Sequence, residues 1–204
     1  MSYRDFKFPD VVERLSLELY QEPLFADAAP FELSQRMLES LDSGLKLSNT
    51  INNEKARSEF VVAPLLLELW QRFAHSFGLF SGWELNVDQE SGLVGICDFI
   101  LAREPMMLML RSPVLAIVVA RNDHVRNGFG QCISSMHAAQ LYNKTREEAR
   151  TGMYGASTTG AQWQLFRLDG KRLIVDTSEL NLMADTSRVA GILMDIVHTS
   201  KGTS

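Results

Sequence analysis

Two apolar runs decide the fold: residues 92–102 read GLVGICDFILA, and residues 114–121 read VLAIVVAR. Both runs are nearly continuous and rich in Val and Ile, which indicates strands that are covered on both faces, in the middle of a sheet. Asp98 is the only charged residue between Glu90 and Arg103. Because a carboxylate is costly to bury without a partner, we expect Asp98 at a strand end, at a hydrogen-bonded site or at a metal position.

The segments around these strands alternate between helical and extended periodicity. Apolar residues recur at helical spacing in residues 31–45, 60–78, 127–144 and 187–198. Gly44 is a plausible stop for the first of these helices, and Pro64 predicts a bend in the second. Residues 81–88 alternate with the period of a strand, and Asp169–Gly170 is a hairpin turn signal inside the second strand pair.

The order of elements predicts an α/β class, with a mixed sheet between layers of helices. After residue 50 the order is helix, three strands, helix, two strands and helix. We therefore assign residues 1–50 to an N-terminal helical extension packed on the core, and residues 51–204 to one compact α/β domain.

Composition and charge exclude several classes of protein. The chain has 204 residues and is 46% hydrophobic, which suits one packed core. Its longest apolar stretch, Val114 to Ala120, is too short to span a membrane, and its charged N-terminus does not read as a secretory signal, so we expect a cytoplasmic protein. Cys97 and Cys132 are expected to be free buried thiols. The net charge of −5 argues against indiscriminate binding of polyanions, so any nucleic-acid contact requires a local basic patch.

Five blocks of sequence, taken in order, resemble the PD-(D/E)XK or restriction-endonuclease-like superfamily, and more narrowly a bacterial branch of it. The blocks are NNEKARSEFVVAPLL (52–66), GLVGICDFILAR (92–103), VLAIVVARND (114–123), GFGQCISSMHAAQLYN (128–143) and YGASTTGAQWQLFRL (154–168). The resemblance implies a restriction-endonuclease-like core: a helix, a hairpin that carries a catalytic Asp, a strand that carries Glu-x-Lys, a helix that often bears Gln, and a further strand. It also implies Mg²⁺-dependent hydrolysis of phosphodiesters, in which the cation neutralises phosphate charge and activates water.

Carried onto this chain, the resemblance places the first catalytic acid at Asp98. Glu59 matches a helix acid that some members add to the metal shell, and Gln131 matches the helix glutamine. The Glu-x-Lys pair is altered in both halves, because Val119 stands at the acid position and Arg121 at the lysine position.

This departure weakens the case for catalysis. Valine cannot coordinate a cation, and Mg²⁺ needs hard oxygen ligands. Arginine stays protonated and presents its donors differently from a lysine ammonium. Asp123 could replace the missing ligand only with a changed geometry, because it lies about 13 Å further along an extended strand than Val119. Glu54 and Glu104 are conceivable replacements. We further hypothesise that Arg121 forms an ion pair with Asp98, which converts a metal site into a salt bridge.

Each candidate residue also has a purely structural interpretation. Asp98 is then a hydrogen-bonded strand-end carboxylate, Glu59 a solvated residue on a helix, and Gln131 a bridge between backbone groups. Phosphate contacts are conceivable through Arg121, Arg126 and Lys144, followed by Arg146 and Arg150, but acidic residues interleave with this cluster as on an ordinary solvated helix.

The sequence therefore favours a nuclease-fold protein with a degenerate metal site and a non-catalytic binding or regulatory role. It would hold no cofactor, or Mg²⁺ if it is active. One alternative is a Mg²⁺-dependent nuclease whose second acid has relocated. Another is a self-associating structural protein, such as a homodimer.

Overall fold

A computed structural model of the protein describes residues 1–73, 76–105, 108–145 and 152–198. Its strands form one seven-stranded mixed sheet in the order β1-β7-β6-β5-β4-β3-β2. The strands are β1 (Glu18–Glu22), β2 (Gly78–Glu84), β3 (Ile96–Ala102), β4 (Val114–Ala120), β5 (Met153–Thr158), β6 (Gln162–Asp169) and β7 (Arg172–Asn181). The α-helices are α1 (Asp10–Arg14), α2 (Gln35–Ile51), α3 (Glu54–Arg57), α4 (Ala63–Arg72), α5 (Phe129–Thr145) and α6 (Thr186–His198).

The α/β class predicted from the sequence is confirmed. Strands β2, β3 and β4 form an antiparallel meander, and α5 then crosses over so that β5 pairs in parallel with β4. With α4 before β2, this is the order of helix, three strands, helix and strand that the resemblance implies. The turn at Gly170 joins β6 to β7 as an antiparallel hairpin, as the sequence also predicted.

Apolar side chains pack on both faces of the sheet. One core contains residues of α2, α4 and α6, and the other contains residues of the N-terminal segment, α1 and α5. All seven residues of β4 are buried, which agrees with its continuous apolar sequence. Cys97 and Cys132 are free and buried, as predicted.

The first core helix is interrupted near the predicted bend. A π-helical turn at Ser58–Val62 separates α3 from α4, and Pro64 stands in the first turn of α4. Ala63, the first residue of α4, donates its N–H to the carbonyl of Ser58 across the π-helical turn, and Pro64 after it has no N–H to donate.

Two expectations for the N-terminal region were wrong in detail. Gly44 does not end a helix but lies inside α2, where a Cβ atom would overlap the carbonyl oxygen of Phe60. Its physical role is therefore to let α2 approach the π-helical turn closely. The region before residue 50 is not purely helical either, since β1 joins the sheet in parallel with β7.

Within the described residues no helix is long and apolar enough to cross a membrane. Two members of the predicted basic cluster, Arg146 and Arg150, lie outside the described residues.

Candidate functional site

The register of β3 and β4 places Asp98 opposite Val119. Phe99 pairs with Val118 and Ile100 with Ile117, so the next position along brings Asp98 and Val119 together. The Asp98 Oδ2 atom accepts a hydrogen bond of 2.9 Å from the backbone N–H of Ala120. The residue across from Asp98 is therefore a fully buried valine, which offers no oxygen ligand.

Asp98 is a carboxylate largely removed from water. Desolvation by burial raises the pKa of Asp98 above its usual range. The N–H of Ala120 and the positive charge of Arg121 oppose this rise, whereas the negative charge of Glu54 adds to it.

Arg121 joins two helices at the end of β4. Its Nη1 atom donates a hydrogen bond of 2.5 Å to Oε1 of Glu54, at the start of α3. Its Nη2 atom donates to Oε1 of Gln131, in the first turn of α5. The Arg121 side chain is 15% exposed and the Glu54 side chain is 38% exposed, so the ion pair is partly shielded from water, whereas the contact with Gln131 is buried.

The hypothesised ion pair between Arg121 and Asp98 is wrong. Arg121 forms its ion pair with Glu54, and Asp98 is hydrogen-bonded by the backbone N–H of Ala120. The physical reason is that Arg121 follows the last residue of β4, where its side chain reaches the two helices. Its charge still acts on Asp98 at longer range.

The structure does not bring Glu59 to this site. Glu59 is exposed and lies 3.4 Å from Nζ of Lys55, one helical turn away. It lines a separate, mostly apolar cavity that also includes Leu79 and Phe99. Glu54, which the sequence offered only as one conceivable replacement acid, is the helix acid that joins the site.

Gln131 lies in the first turn of α5, next to Arg121. It is 1% exposed, and its Oε1 atom accepts from Arg121. Its Nε2 atom has no hydrogen-bond partner among the described residues.

The other two acids named as replacements do not fill the missing position. Asp123 accepts hydrogen bonds from the N–H of His124 at 2.8 Å and from Nδ2 of Asn127 at 2.6 Å, so it closes its own turn. The backbone of Glu104 packs beside Gly78, past the far end of β3 from Asp98.

A polar cavity of about 540 Å³ opens next to Arg121. It is lined by Arg4, Lys7, Phe8, Glu54, Arg121, Asn122, Asp123, Arg126 and Asn127. Of the residues predicted to contact phosphate, Arg121 and Arg126 therefore share a cavity, and Lys144 lies apart, near the C-terminal end of α5.

Sequence reasoning missed the three lining residues Arg4, Lys7 and Phe8. They are held in place through Tyr3, whose hydroxyl donates to the carbonyls of Leu85 at 2.5 Å and Leu93 at 3.2 Å. No periodicity marks this contact, because it joins positions more than 80 residues apart.

The side chains present do not fit the Mg²⁺ ion that the resemblance implies. Val119 supplies no ligand, one Asp98 oxygen is hydrogen-bonded to Ala120, and Glu54 is paired with a permanent cation. Within the described part of the chain, no group of three or more His, Cys, Asp or Glu residues is arranged to hold a metal ion. Arg121 thus supplies positive charge beside these acids.

Comparison with known proteins gives little beyond this. No protein-family model and no curated protein matches the chain. Among solved structures, the chain is similar to a cryo-electron microscopy structure of a DrdV–DNA complex, with 9% identity and a TM-score of 0.41 over 80% of this chain. The match spans only 14% of the DrdV chain.

Proposed function

We propose that this chain is a nuclease-fold protein with a degenerate metal site, which binds phosphate groups of nucleic acid without hydrolysing them. The observation that supports this function is the position of Arg121, whose guanidinium contacts Glu54 and Gln131. A cation built into the chain replaces part of the charge that a metal ion would supply, but it cannot lower the pKa of a bound water as a metal does.

Arginine in this place suits binding better than catalysis. A guanidinium stays protonated near neutral pH, so Arg121 keeps its positive charge beside the cavity while its Nη atoms contact Glu54 and Gln131. Beside it, the exposed Arg126 extends the positive surface of the same cavity.

A plasmid-nicking assay with Mg²⁺ and with Mn²⁺ tests this function. We expect no cation-dependent nicking by the wild type, and the same background from Asp98→Ala. Nicking that Asp98→Ala abolishes would refute the proposal.

Binding is tested separately, by fluorescence anisotropy with a labelled oligonucleotide. We expect Arg126→Gln to weaken binding about tenfold, because charged hydrogen bonds to phosphate contribute roughly 1.5–3 kcal/mol. Lys144→Gln is the matched control: it removes the same charge outside the cavity and should have little effect. Equal effects of the two substitutions would indicate non-specific attraction only.

A working Mg²⁺-dependent nuclease is the second candidate, and the position of Glu54 beside Arg121 at the end of β4 favours it. Glu54 would then be the relocated second acid, released from Arg121 when the cation binds. This candidate requires nicking that is lost in both Asp98→Ala and Glu54→Gln, whereas Glu59→Gln retains it.

Self-association and a cytoplasmic location stay predictions. Light scattering over a concentration series distinguishes a monomer from a homodimer, and a constant mass of one chain would exclude the structural alternative.

A further inference from the structure

The cavity beside Arg121 carries more positive charge than its own acids balance. Four cations and two acids line it, which gives a net charge of four minus two, or +2, in a chain of net charge −5. Glu54 is paired with Arg121. Within the described residues, Arg4, Lys7 and Arg126 form no ion pair, and of these three only Arg4 also acts on the buried Asp98.

One wall of the cavity is aromatic. Phe8 is half-buried, and its ring packs edge-on against Phe129 with centroids 5.5 Å apart. The guanidinium carbon of Arg126 lies 5.8 Å from the centroid of the Phe8 ring. An aromatic ring with an arginine beside it is a typical surface for stacking a nucleobase.

The size of the cavity favours a small ligand. Its volume of about 540 Å³ is within the range of roughly 300–1,000 Å³ that is usual for small-molecule sites. Asn122 and Asn127 also line the cavity, and their amides can both donate and accept hydrogen bonds. A phosphomonoester carries between one and two negative charges near neutral pH, which matches the local excess of +2.

We propose that this cavity binds one nucleotide unit that carries a phosphomonoester. The phosphate contacts Arg126, Lys7 and Arg4, and the base lies against Phe8. This inference rests on the proposed binding function and deepens it, because it names the ligand class of the same site. The shared chemistry is found in a free nucleotide and in the 5′-phosphorylated end of a strand.

In the same proposal, the negative charge of Glu54 lowers the affinity of the cavity for the phosphate. Glu54 accepts a hydrogen bond from Nη1 of Arg121 and so neutralises the positive charge of Arg121. Glu54→Gln keeps an acceptor oxygen but removes the charge, so it should raise the affinity for the phosphomonoester several-fold.

Isothermal titration calorimetry of the full chain tests the ligand class. The probes are adenosine 5′-monophosphate, adenosine, inorganic phosphate, and one ten-nucleotide strand with either a 5′-phosphate or a 5′-hydroxyl. We expect the monophosphate to bind at least about tenfold more tightly than adenosine, since the charged hydrogen bonds to phosphate are lost in the nucleoside. Tighter binding of the phosphorylated strand than of the free monophosphate identifies the strand end as the source; the reverse identifies a free nucleotide.

Arg126 and Lys144 are exposed, so their substitution should not disturb folding, and Phe8→Leu keeps an apolar side chain at a half-buried position. Arg126→Gln should weaken binding of the monophosphate about tenfold, and Lys144→Gln should not change it. Phe8→Leu should weaken the monophosphate about fivefold through lost stacking, and should leave inorganic phosphate unchanged. Equal affinities for adenosine and its monophosphate, or equal effects of Arg126→Gln and Lys144→Gln, would overturn the inference. The nicking assay reads out the proposed loss of hydrolysis independently of these affinities.

Discussion

At the scale of single residues, Arg121 is the side chain that connects the elements around the candidate site. Its guanidinium group connects Glu54 in α3 to the buried side-chain amide of Gln131 in α5, at the point where β4 ends. Removing it leaves the Gln131 oxygen buried without this donor, which is the costly way to break a hydrogen bond.

Arg121→Met is therefore expected to lower the free energy of unfolding by about 1–3 kcal/mol, measured by urea denaturation. Arg172→Met is the matched control, because Arg172 pairs with Glu22 at the same 2.5 Å but both side chains are more than 40% exposed. Exposed pairs contribute little, so the control should cost below about 1 kcal/mol. Equal losses in the two variants would show that Arg121 is an ordinary surface residue.

Two substitutions of Asp98 distinguish the contribution of its hydrogen-bond acceptor to stability from the contribution of its negative charge. Asp98→Ala leaves the N–H of Ala120 without an acceptor and should cost about 1–3 kcal/mol, whereas Asp98→Asn keeps an acceptor and should cost much less at pH 7. A loss in Asp98→Asn as large as in Asp98→Ala would show that the negative charge itself stabilises the fold.

The difference in stability between the wild type and Asp98→Asn should change with pH in one direction. Burial raises the pKa of Asp98 in the folded state, so folding favours the protonated carboxyl. The stability of the wild type relative to Asp98→Asn should therefore be greatest in acid and should fall as the pH rises through the raised pKa. Urea denaturation of both proteins between pH 3.5 and 7 measures it, and an opposite trend would contradict the assignment.

The sequence predicted part of this site, for a physical reason. Asp98 lies in β3, Arg121 directly follows β4, and Gln131 lies in α5. The order of these elements along the chain is enough to predict that the three residues are neighbours. The choice between Glu54 and Glu59 depends on helix rotation, and five residues correspond to about 140° around a helix axis. The π-helical turn that begins at Ser58 changes this rotation further, and nothing in the local sequence fixes it.

At the scale of elements, close helix packing explains a glycine that the sequence suggested as a stop. Gly44 lies in α2, against the carbonyl of Phe60 in the π-helical turn. At position 44, helix propensity therefore favours alanine, whereas packing against Phe60 favours glycine.

Gly44→Ala should destabilise the protein by about 2 kcal/mol or more, because the overlap with the Phe60 backbone exceeds the gain of about 1 kcal/mol in helix propensity. Ser43→Ala, at the exposed neighbouring position of the same helix, should be neutral or slightly stabilising. Thermal unfolding measures both, and a stabilised Gly44→Ala would contradict the close packing.

At the scale of the whole molecule, the first 50 residues are integrated into the fold. They supply the edge strand β1, most of α2 and the anchored Tyr3, and side chains from them enter both hydrophobic cores. The boundary predicted at residue 50 marks a change in sequence pattern, but it does not mark where packing ends.

A fragment of residues 51–204 is accordingly expected to lose cooperative unfolding, because both cores would be exposed to water. Circular dichroism during urea denaturation provides the measurement, with the full chain as the reference. A sharp transition in the fragment would show that it folds alone.

The proposed function requires that the guanidinium of Arg121, and not a metal ion, supplies the positive charge at the end of β4. Titration of the wild-type protein with Mn²⁺, followed by the electron paramagnetic resonance signal of the free ion, tests it most directly. The account predicts that no stoichiometric Mn²⁺ is taken up in the micromolar range. One tightly bound Mn²⁺ per chain, lost in Asp98→Ala, would contradict it.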